Sequence, residues 1–354
     1  MTEAIVLTGA YILDLMIGDP HWFPHPVRII GRGIEKMERI LRSASIKAVI
    51  PAKAGIQRES NWIPGQARND RDKLSGILLV IIIISLTYGS FYFLNSFLIN
   101  TDLSKPVSYF TFIFLVYLTS TTLATNDLIK SGKAVVFAVC AGDKEGARKK
   151  LRLIVGRDTK ELDDKGILKA VIETLSENAS DGIIAPIFYF AIGGLPLAMT
   201  YKAVNTLDSM VGYRNERYKN FGWASARLDD IVNFIPARIT GMLIVMAAFI
   251  LKMSAAAGRL SLRTMLRDGG KHLSPNSGIP EAAMAGALGI RLGGPSFYAG
   301  MLVEKPYIGL EEKSEVKEDL SYLNASENAL SIVKITSLLG FGIALILLYL
   351  RTAI

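Results

Sequence analysis

The sequence predicts an all-α, polytopic membrane protein with about four to five transmembrane helices, a broken or re-entrant apolar segment and amphipathic interfacial helices. Half of the 354 residues are hydrophobic, and the mean hydropathy of +0.33 exceeds that of an ordinary soluble domain. The apolar residues are also concentrated in long blocks. We therefore expect residues 1–354 to form a single integral membrane domain, multi-pass in the cell (inner) membrane.

Four apolar blocks are long enough to cross a hydrocarbon core of ~30 Å at about 1.5 Å per residue. They are Leu74–Ile99, Val107–Thr125, Phe234–Leu251, which contains Arg238, and Ile332–Leu350. A shorter run, Ala4–Gly18, carries Asp14 and lacks the basic start and the cleavage site of a signal peptide. Motifs that face the same side of the membrane must be separated by an even number of crossings. Four or five spans plus one re-entrant segment do not settle that number, so the membrane topology stays open.

Two segments depart from this pattern. Ser43–Asp72 is polar, contains two prolines and shows no sustained apolar periodicity, which predicts a disordered insertion without a function. Ile183–Ala203 is apolar but is interrupted by two prolines and the Gly193-Gly194 pair. Such interruptions favour a broken helix or a re-entrant hairpin that is buried in protein.

The composition excludes several classes of protein and site. The net charge of +8 arises mainly in the connecting segments, which suits both cytoplasmic loops and anionic substrates. No basic stripe with interleaved aromatic residues occurs, so we do not expect nucleic-acid binding. Cys140 is the only cysteine, which excludes an intramolecular disulfide and a CxxC-type metal site. Three histidines leave little scope for a zinc centre.

Five polar clusters lie at the predicted membrane boundaries. The first, Gly18–Arg28, contains three prolines that exclude a regular helix, so the spacing of His21 and His25 does not place them on one face. A rigid interfacial turn with Trp22 at the headgroups and a binding site are equal alternatives here. We do not expect these two histidines alone to form a metal site.

The second cluster, Gly156–Gly182, contains apolar residues at the spacing of an amphipathic helix, namely Leu168, Val171, Ile172 and Leu175. Glu173, Glu177 and Asp181 recur every four residues, and a continuous helix would align them on one face. A solvated helix face is the simplest alternative. This face nevertheless runs directly into an apolar segment, where unpaired carboxylates are costly. Binding of Mg²⁺ or an amine is therefore an equal alternative.

The third and fourth clusters are nearly contiguous and rich in charge. Their polar residues are Lys202, Asn205 and Asp208, which share one side of a helix, followed by Arg214, Arg217, Arg227, Asp229, Asp230 and Arg238. They suit salt bridges, and they also suit a nucleotide site, which needs cations for phosphates and oxygen ligands for Mg²⁺. The fifth cluster is the Pro/Gly loop Lys271–Glu281, which leads into small residues that permit close helix packing. No P-loop and no GxGxxG fingerprint occurs.

Five stretches carry a resemblance to a known family. They are GDPHWFPHPVRIIG from Gly18, IVGRDTKEL from Ile154, ETLSENASDGIIAPIFYFAIGGLP from Glu173, YKAVNTLDSMVGYRNERYKNFGWASARLDD from Tyr201 and PNSGIPEAAMAGALGIRLGG from Pro275. In this order, spanning nearly the whole chain, they resemble the adenosylcobinamide-phosphate synthase family of cobalamin-biosynthesis membrane proteins. The polar segment Ser43–Asp72 is a departure from the family pattern that affects none of these motifs.

The resemblance implies an acid–amine (carbon–nitrogen) ligase of vitamin B12 biosynthesis. ATP would activate a propionate carboxylate of adenosylcobyric acid as an acyl phosphate, and 1-amino-2-propanol phosphate would attack it to give the amide, adenosylcobinamide phosphate. Ethanolamine phosphate is a close alternative donor. The implied cofactors are ATP, as co-substrate, and Mg²⁺. The implied partners are the corrinoid and amino-alcohol phosphate substrates, membrane lipid and other cobalamin-pathway enzymes. All three substrates are anionic, which suits the arginine-rich loops.

The same resemblance suggests roles for individual residues, which we state as hypotheses. Asp208, Asp229 and Asp230 hold Mg²⁺. The phosphates and other substrate groups are contacted by Lys202, Asn205, Arg214, Arg217 and Arg227. The amine proton is accepted by Glu177, Asp181 or Glu281. Arg157 and His25 hold the amino-alcohol phosphate or corrin side chains.

Three other classes of membrane protein share some of these features. A non-catalytic polytopic transporter or scaffold would also carry intramembrane charge and a broken helix, but the two halves of the chain do not mirror each other in hydropathy. A CDP-alcohol transferase has an Asp-Gly pair followed closely by Ala-Arg and then by two spaced aspartates. Here Asp181-Gly182 is followed by Ile183-Ile184-Ala185-Pro186, so the pattern is absent. A prenyltransferase needs further spaced aspartates after Asp208, which are absent.

Overall fold

The computed structural model describes residues 2–19, 24–47, 64–99, 106–213, 215–298, 300–310 and 318–353. These residues are mostly helical, which confirms the predicted fold class. The helices before the interrupted apolar segment are α1 (Thr2–Met16), α2 (Pro26–Lys47), α3 (Pro64–Ile99), α4 (Pro106–Ser120), α5 (Thr125–Cys140), α6 (Lys144–Leu151) and α7 (Asp164–Ala179). A π-helical segment, Ser180–Ile184, follows α7. The later helices are α8 (Ala185–Val211), α9 (Trp223–Val232), α10 (Phe234–Lys252), α11 (Ala255–Asp268), α12 (Gly278–Leu288) and α13 (Glu318–Ala353).

Four helical stretches in the described part of the chain are long and apolar enough to cross a membrane. They are Asn69–Leu98, Asp164–Val211, Phe234–Lys252 and Tyr322–Arg351. Three predicted spans are thereby confirmed, those beginning at Leu74, Phe234 and Ile332. The prediction of one continuous helix over Val107–Thr125 is wrong, because α4 ends at Ser120 and α5 begins at Thr125. Counted together as one broken span, α4 and α5 raise the total to five.

The predicted interruption of the apolar segment after α7 is present at the Gly193-Gly194 pair. Gly194 has φ 66° and ψ −159°, and Gly193 is also non-helical, so α8 is broken at this pair. Glycine reaches positive φ without the steric cost that other residues incur. Upstream, the α-helical register ends at Ala179 and the backbone becomes π-helical. The premise that placed Asp181 on the same face as Glu173 and Glu177 is therefore wrong, because a π-turn advances by a different angle per residue.

The disorder predicted for Ser43–Asp72 does not extend to its two ends. Residues 43–47 belong to α2 and residues 64–72 belong to α3, so both ends are helical. The remainder, 48–63, lies outside the described residues. The helix predicted from Leu168 to Leu175 is present as α7, and it is largely buried because α5, α12 and α13 pack around it.

The chain forms two compact units, each discontinuous in sequence. Unit 1 consists of residues 1–20, 123–191 and 233–354, and unit 2 consists of residues 21–122 and 192–232. The core of unit 2 joins α2, α3 and α8 to Phe221, which is 1% exposed. Unit 1 contains α7 at its centre and the short strands that follow α12.

Four three-residue strands form a hairpin-like region that the sequence did not predict. They are β1 (Arg291–Gly293), β2 (Ser296–Tyr298), β3 (Met301–Val303) and β4 (Tyr307–Gly309). β1 pairs with β4 and β2 pairs with β3, both antiparallel. We call residues 291–310 the hairpin. Three carboxylates accept hydrogen bonds from its glycine amides: Glu173 from Gly293 at 2.7 Å, Asp158 from Gly300 at 2.7 Å and Asp268 from Gly309 at 3.0 Å.

A close approach inside unit 2 gives a testable prediction. A Cβ added at Gly76 of α3 would lie 1.8 Å from the backbone oxygen of Phe221, whereas one at Gly89 of the same helix would meet nothing within 4 Å. We expect Gly76→Ala to lower the free energy of unfolding by about 1–3 kcal/mol or more, since backbone must move. Gly89→Ala, the matched control, should be neutral or stabilising by up to about 1 kcal/mol. Thermal unfolding in detergent checks both, and equal midpoints for the two variants would contradict the packing.

Candidate functional site

Six ionisable side chains of unit 1 converge from five parts of the chain. We call them the glutamate cluster: Arg157, Glu173, Glu177, His272, Glu281 and Lys305. Arg157 lies in the loop before α7, the first two glutamates lie on α7, and Glu281 lies in the first turn of α12. His272 precedes α12, and Lys305 connects β3 to β4. Three of the sequence-predicted site residues, Arg157, Glu177 and Glu281, are therefore brought together.

Glu173 is buried, and its carboxylate is fully engaged. It forms an ion pair with Arg157, and its Oε1 accepts the amide of Gly293 at 2.7 Å. The other terminal nitrogen of Arg157 lies 3.5 Å from the Ser296 hydroxyl. The pair thus joins α7 to the preceding loop and to the hairpin, which is a structural task for both side chains.

Glu281 is as buried as Glu173, but it lacks a partner like the Arg157 guanidinium that pairs with Glu173. Its residue is 5% exposed, and no hydrogen bond to its carboxyl group is present among the described residues. His272 Nε2 lies 4.0 Å from its Oε1. Burial, followed by the nearby charges of Glu173 and Glu177, raises the pKa of Glu281 well above its usual value, although Lys305 and Arg157 oppose the shift. The neutral acid form of Glu281 therefore persists to higher pH than that of an ordinary glutamic acid.

His272 presents a proton toward this carboxyl group. The Ser274 amide donates to His272 Nδ1 at 3.0 Å, so the neutral ring carries its proton on Nε2. Burial and the charge of Lys305 lower the pKa of His272, which favours this neutral form. The Lys305 ammonium itself donates to the Tyr298 hydroxyl at 2.6 Å.

The two other predicted proton acceptors differ from Glu281 in their surroundings. Glu177 lies one turn after Glu173 on α7, is exposed, and accepts the Ser277 hydroxyl at 2.9 Å. Asp181 lies in the π-helical segment and is half-buried. The charge of Glu177 contributes to the raised pKa of Glu281, which links these two predicted proton acceptors.

Unit 2 contains a separate cleft of about 470 Å³. We call it the arginine cleft, and it is lined by Glu35, Glu38, Arg39, Ser209, Met210, Tyr213, Arg217 and Tyr218. Glu38 is 7% exposed, and it accepts Arg42 Nε at 2.9 Å and Arg217 at 3.1 Å. The predicted phosphate ligand Arg217 is thus at the cleft, where its guanidinium also lies 5.1 Å from the centre of the Tyr218 ring.

The remaining predicted residues of unit 2 lie on or beside its helices. Lys202, Asn205 and Asp208 lie on α8 and are half-buried, as are Asp229 and Asp230 on α9. Arg227 is 3.8 Å from Asp230. His25 immediately precedes α2, whereas Arg214 lies outside the described residues. The roles suggested for these side chains stay predictions.

Metal binding by protein groups alone receives no support in the ranges that the structure describes. They contain no group of three or more His, Cys, Asp or Glu residues that could hold a metal ion. Mg²⁺ usually takes one or two carboxylates and completes its shell with water and phosphate oxygens. Of the three predicted Mg²⁺ ligands, Asp230 lies 3.8 Å from Arg227, and the assignment of Asp208, Asp229 and Asp230 to Mg²⁺ stays a prediction.

The first polar cluster is partly structural. The Thr125 amide donates to buried Asp14 at 3.0 Å, and the Asp19 amide donates to Asp127 at 3.0 Å. These bonds fix the end of α1 to the start of α5. They favour a rigid turn at Gly18-Asp19, while Pro20 to Phe23 lie outside the described residues.

Three members of the glutamate cluster are not among the individual site residues predicted from the sequence. Glu173 and His272 lie in predicted polar clusters, but neither the spacing nor the loop composition indicates a partner that lies more than ten residues away. Lys305 lies in no motif. These residues share one sequence feature that could have indicated them, namely a charged side chain next to an apolar segment. An unpaired charge is costly there, so a partner is expected.

Asp268, at the end of α11, gives a prediction about acid stability. It is 1% exposed and contacts Arg267 and Lys271 at 2.6 and 2.7 Å, as well as the Gly309 amide. Burial alone would raise its pKa, but these hydrogen bonds lower it below the usual range. Because the pKa is lower in the folded state, ionised Asp268 stabilises the fold. This contribution is fully present above the unfolded-state pKa of ~3.9 and is lost as pH falls toward the folded-state pKa.

We therefore expect Asp268→Asn to lower the free energy of unfolding at neutral pH by about 1–3 kcal/mol. The variant should also lose part of the decline in stability between about pH 5 and lower values. Asp164→Asn is the matched control, because Asp164 forms an exposed pair with Lys144 at 3.4 Å; it should change stability by at most about 1 kcal/mol. Thermal midpoints across pH decide, and parallel curves for Asp268→Asn and the parent would contradict the expectation.

Together, apolar helices long enough to span a membrane and a buried acid cluster define a polytopic membrane protein with a site suited to proton transfer. The CobD/Cbib protein family model matches residues 7–325. The chain belongs to this family. It is 45% identical over 311 residues to the cobalamin biosynthesis protein CobD of Geobacter metallireducens, covering 87% of each chain. The corresponding identity to the Clostridium perfringens protein is 43% over 95% of each chain. No solved structure matches the chain.

Proposed function

We propose that this protein is a cobalamin-biosynthesis enzyme that joins an amine to a carboxylic acid. The amine is 1-amino-2-propanol phosphate and the acid is a propionate side chain of adenosylcobyric acid, which gives adenosylcobinamide phosphate. Family membership and relatives named as cobalamin biosynthesis proteins support the pathway. The observation that carries the chemistry is the buried carboxyl group of Glu281, which lies beside His272 and two further glutamates.

Amide formation requires the amine as a neutral nucleophile, and amines are protonated at neutral pH. A base near the amine must therefore take a proton, and a carboxyl group whose pKa is raised toward neutrality is suited to this exchange. Glu281 is the proposed base, because burial raises its pKa and it lies in the glutamate cluster. His272 would lie beside the reacting carboxyl group, with Nε2 at 4.0 Å from Glu281 Oε1, and Arg157 would hold Glu173 in place.

The cofactors of the proposal are ATP and Mg²⁺, with ATP supplying the activation of the carboxylate. Lys202, Arg217 and Arg227 are the proposed contacts to phosphates, together with Asn205 and with Arg214, outside the described residues. Asp208, Asp229 and Asp230 would hold Mg²⁺ with the help of phosphate oxygens. The arginine cleft offers Arg39 and Arg217 beside tyrosine rings, which is a setting that suits anionic substrates.

The proposal is tested by complementation and turnover. A strain that lacks this synthase is fed cobyric acid, and membranes containing the protein are supplied with ATP, Mg²⁺ and aminopropanol phosphate. ATP-dependent formation of cobinamide phosphate, abolished by Asp229→Ala, is the expected result. No product from well-expressed and correctly inserted protein would overturn the ligase and favour a non-catalytic membrane role.

A further inference from the structure

We propose that the glutamate cluster binds the ammonium group of a primary amine, and that the ammonium enters in exchange for the proton of Glu281. The inference rests on the proposed function for the identity of the amine. Its basis in the structure is the unequal pairing of the charges in the cluster.

Each cation near Glu281 already has a partner. Arg157 is paired with Glu173, Lys305 donates to the Tyr298 hydroxyl at 2.6 Å, and Lys169 donates to the Gly293 carbonyl at 3.1 Å. Glu281 is 5% exposed and, in the described part of the chain, accepts no hydrogen bond. A buried carboxyl group without a donor is costly when ionised. The neighbourhood is therefore incomplete, and the missing component is a hydrogen-bonding cation.

Charged groups on α10 and α11, which pack against α12, are bound to other partners. Arg238 of α10 donates to Asn276 at 3.0 Å, and Asp268 of α11 is held by Arg267 and Lys271. The groups that act on Glu281 electrostatically are Glu173, Glu177, Lys305 and Arg157, together with His272 at 4.0 Å.

Charge balance favours an ammonium over other ligands. When an ammonium replaces the Glu281 proton, one positive charge leaves and one enters, so the net charge of the buried cluster does not change. A divalent metal ion would add charge, and the described residues contain no group of three or more metal-ligating side chains. An anionic group placed beside the Glu281 carboxyl group would be repelled by Glu177, so the ligand must present its ammonium end here. Repulsion of this kind is strong where water is excluded.

The acceptors suit an ammonium group, which donates three hydrogen bonds. Glu281 supplies a carboxylate after losing its proton. Glu177 uses Oε1 to accept the Ser277 hydroxyl at 2.9 Å, which leaves Oε2 as a second acceptor. Once the amine is bound, an N–H bond of the ammonium breaks and an O–H bond forms on Glu281. The electron pair stays on nitrogen, which becomes the neutral nucleophile that the proposed reaction requires.

The test measures protons released on amine binding by the purified full-length protein. Pre-neutralised 1-amino-2-propanol is added near neutral pH in weak buffer with an indicator dye, and binding is followed in parallel. The parent protein should release protons on binding, up to about one per amine, and the release should decrease as pH rises through the pKa of Glu281. The uncharged isostere 1,2-propanediol should release none. Binding of the amine without proton release, or the absence of saturable binding, would overturn the inference.

Variants separate the site from the rest of the protein. Glu281→Gln should abolish the release and weaken amine binding by about 10- to 100-fold, whereas Glu145→Gln, at an exposed position on α6, should behave as the parent does. Release that persists in Glu281→Gln would overturn the inference. Should Glu281→Gln fail to fold, the proton count of the parent still decides.

Turnover measured on the same preparation distinguishes the two proposals. Proton-linked amine binding without cobinamide phosphate would overturn the ligase function and leave the amine site standing. Cobinamide phosphate formed without proton-linked amine binding would overturn the amine site alone.

Discussion

Replacing Glu281 with glutamine is expected to lower the turnover of the proposed ligation by about 10²- to 10⁴-fold, which is the range for loss of a general base. Stability should not fall, because glutamine has the size of the neutral acid that Glu281 favours in its buried setting and, like that acid, places no charge beside Glu173 and Glu177. The variant should therefore unfold at or above the temperature of the parent protein while making little product.

The measurement is initial rate against pH, with thermal unfolding of the same samples. Glu145→Gln serves as the matched control, because its carboxylate pairs with Arg148 on the surface and its side chain is 72% exposed. The control should retain the parent rate. A Glu281→Gln enzyme with parental turnover would show that Glu281 does not take the amine proton, and Glu177 would then be the next residue to test.

The largest stability effect is expected from Arg157→Met. It removes the partner of Glu173 and leaves a carboxylate that is 5% exposed without its cation. Loss of one member of a buried ion pair costs about 3–5 kcal/mol, since the remaining charge is uncompensated. Thermal or denaturant unfolding in detergent measures the effect.

A second substitution separates structure from substrate binding at this position. Adding Glu173→Gln to Arg157→Met removes the orphaned charge and should recover most of the lost stability. If the sequence-based role of Arg157 in holding substrate is also correct, the stabilised double variant will still show a raised KM. A double variant no more stable than Arg157→Met would contradict the structural role of the pair.

Three of the transmembrane helices were predictable from the length and composition of their apolar runs alone. The uncharged run from Leu74 and the runs at Phe234 and Ile332 are continuous, so their length sufficed. The break between Ser120 and Thr125 was missed because the intervening residues include no proline, glycine or charge. The break at Gly193-Gly194 was predictable because two consecutive glycines disfavour a continuous helix.

The candidate site was predictable only in part. Glu177 and Glu281 stood out as carboxylates beside apolar or small-residue segments. The partner of Glu173 could not be found, because Arg157 lies 16 positions earlier in an irregular loop and the third contact is a backbone amide of the hairpin. Three-residue strands leave too short a pattern to detect, so the hairpin and Lys305 were missed together.

The anchoring of the hairpin has an evolutionary consequence. Glu173, Asp158 and Asp268 hold it through the amides of Gly293, Gly300 and Gly309, and all three glycines have positive φ. Because main-chain groups make these bonds, selection acts on the acids and glycines and little on the strand side chains between them. An alignment of relatives should therefore show slow substitution at these six positions and rapid drift at the strand residues that separate the glycines.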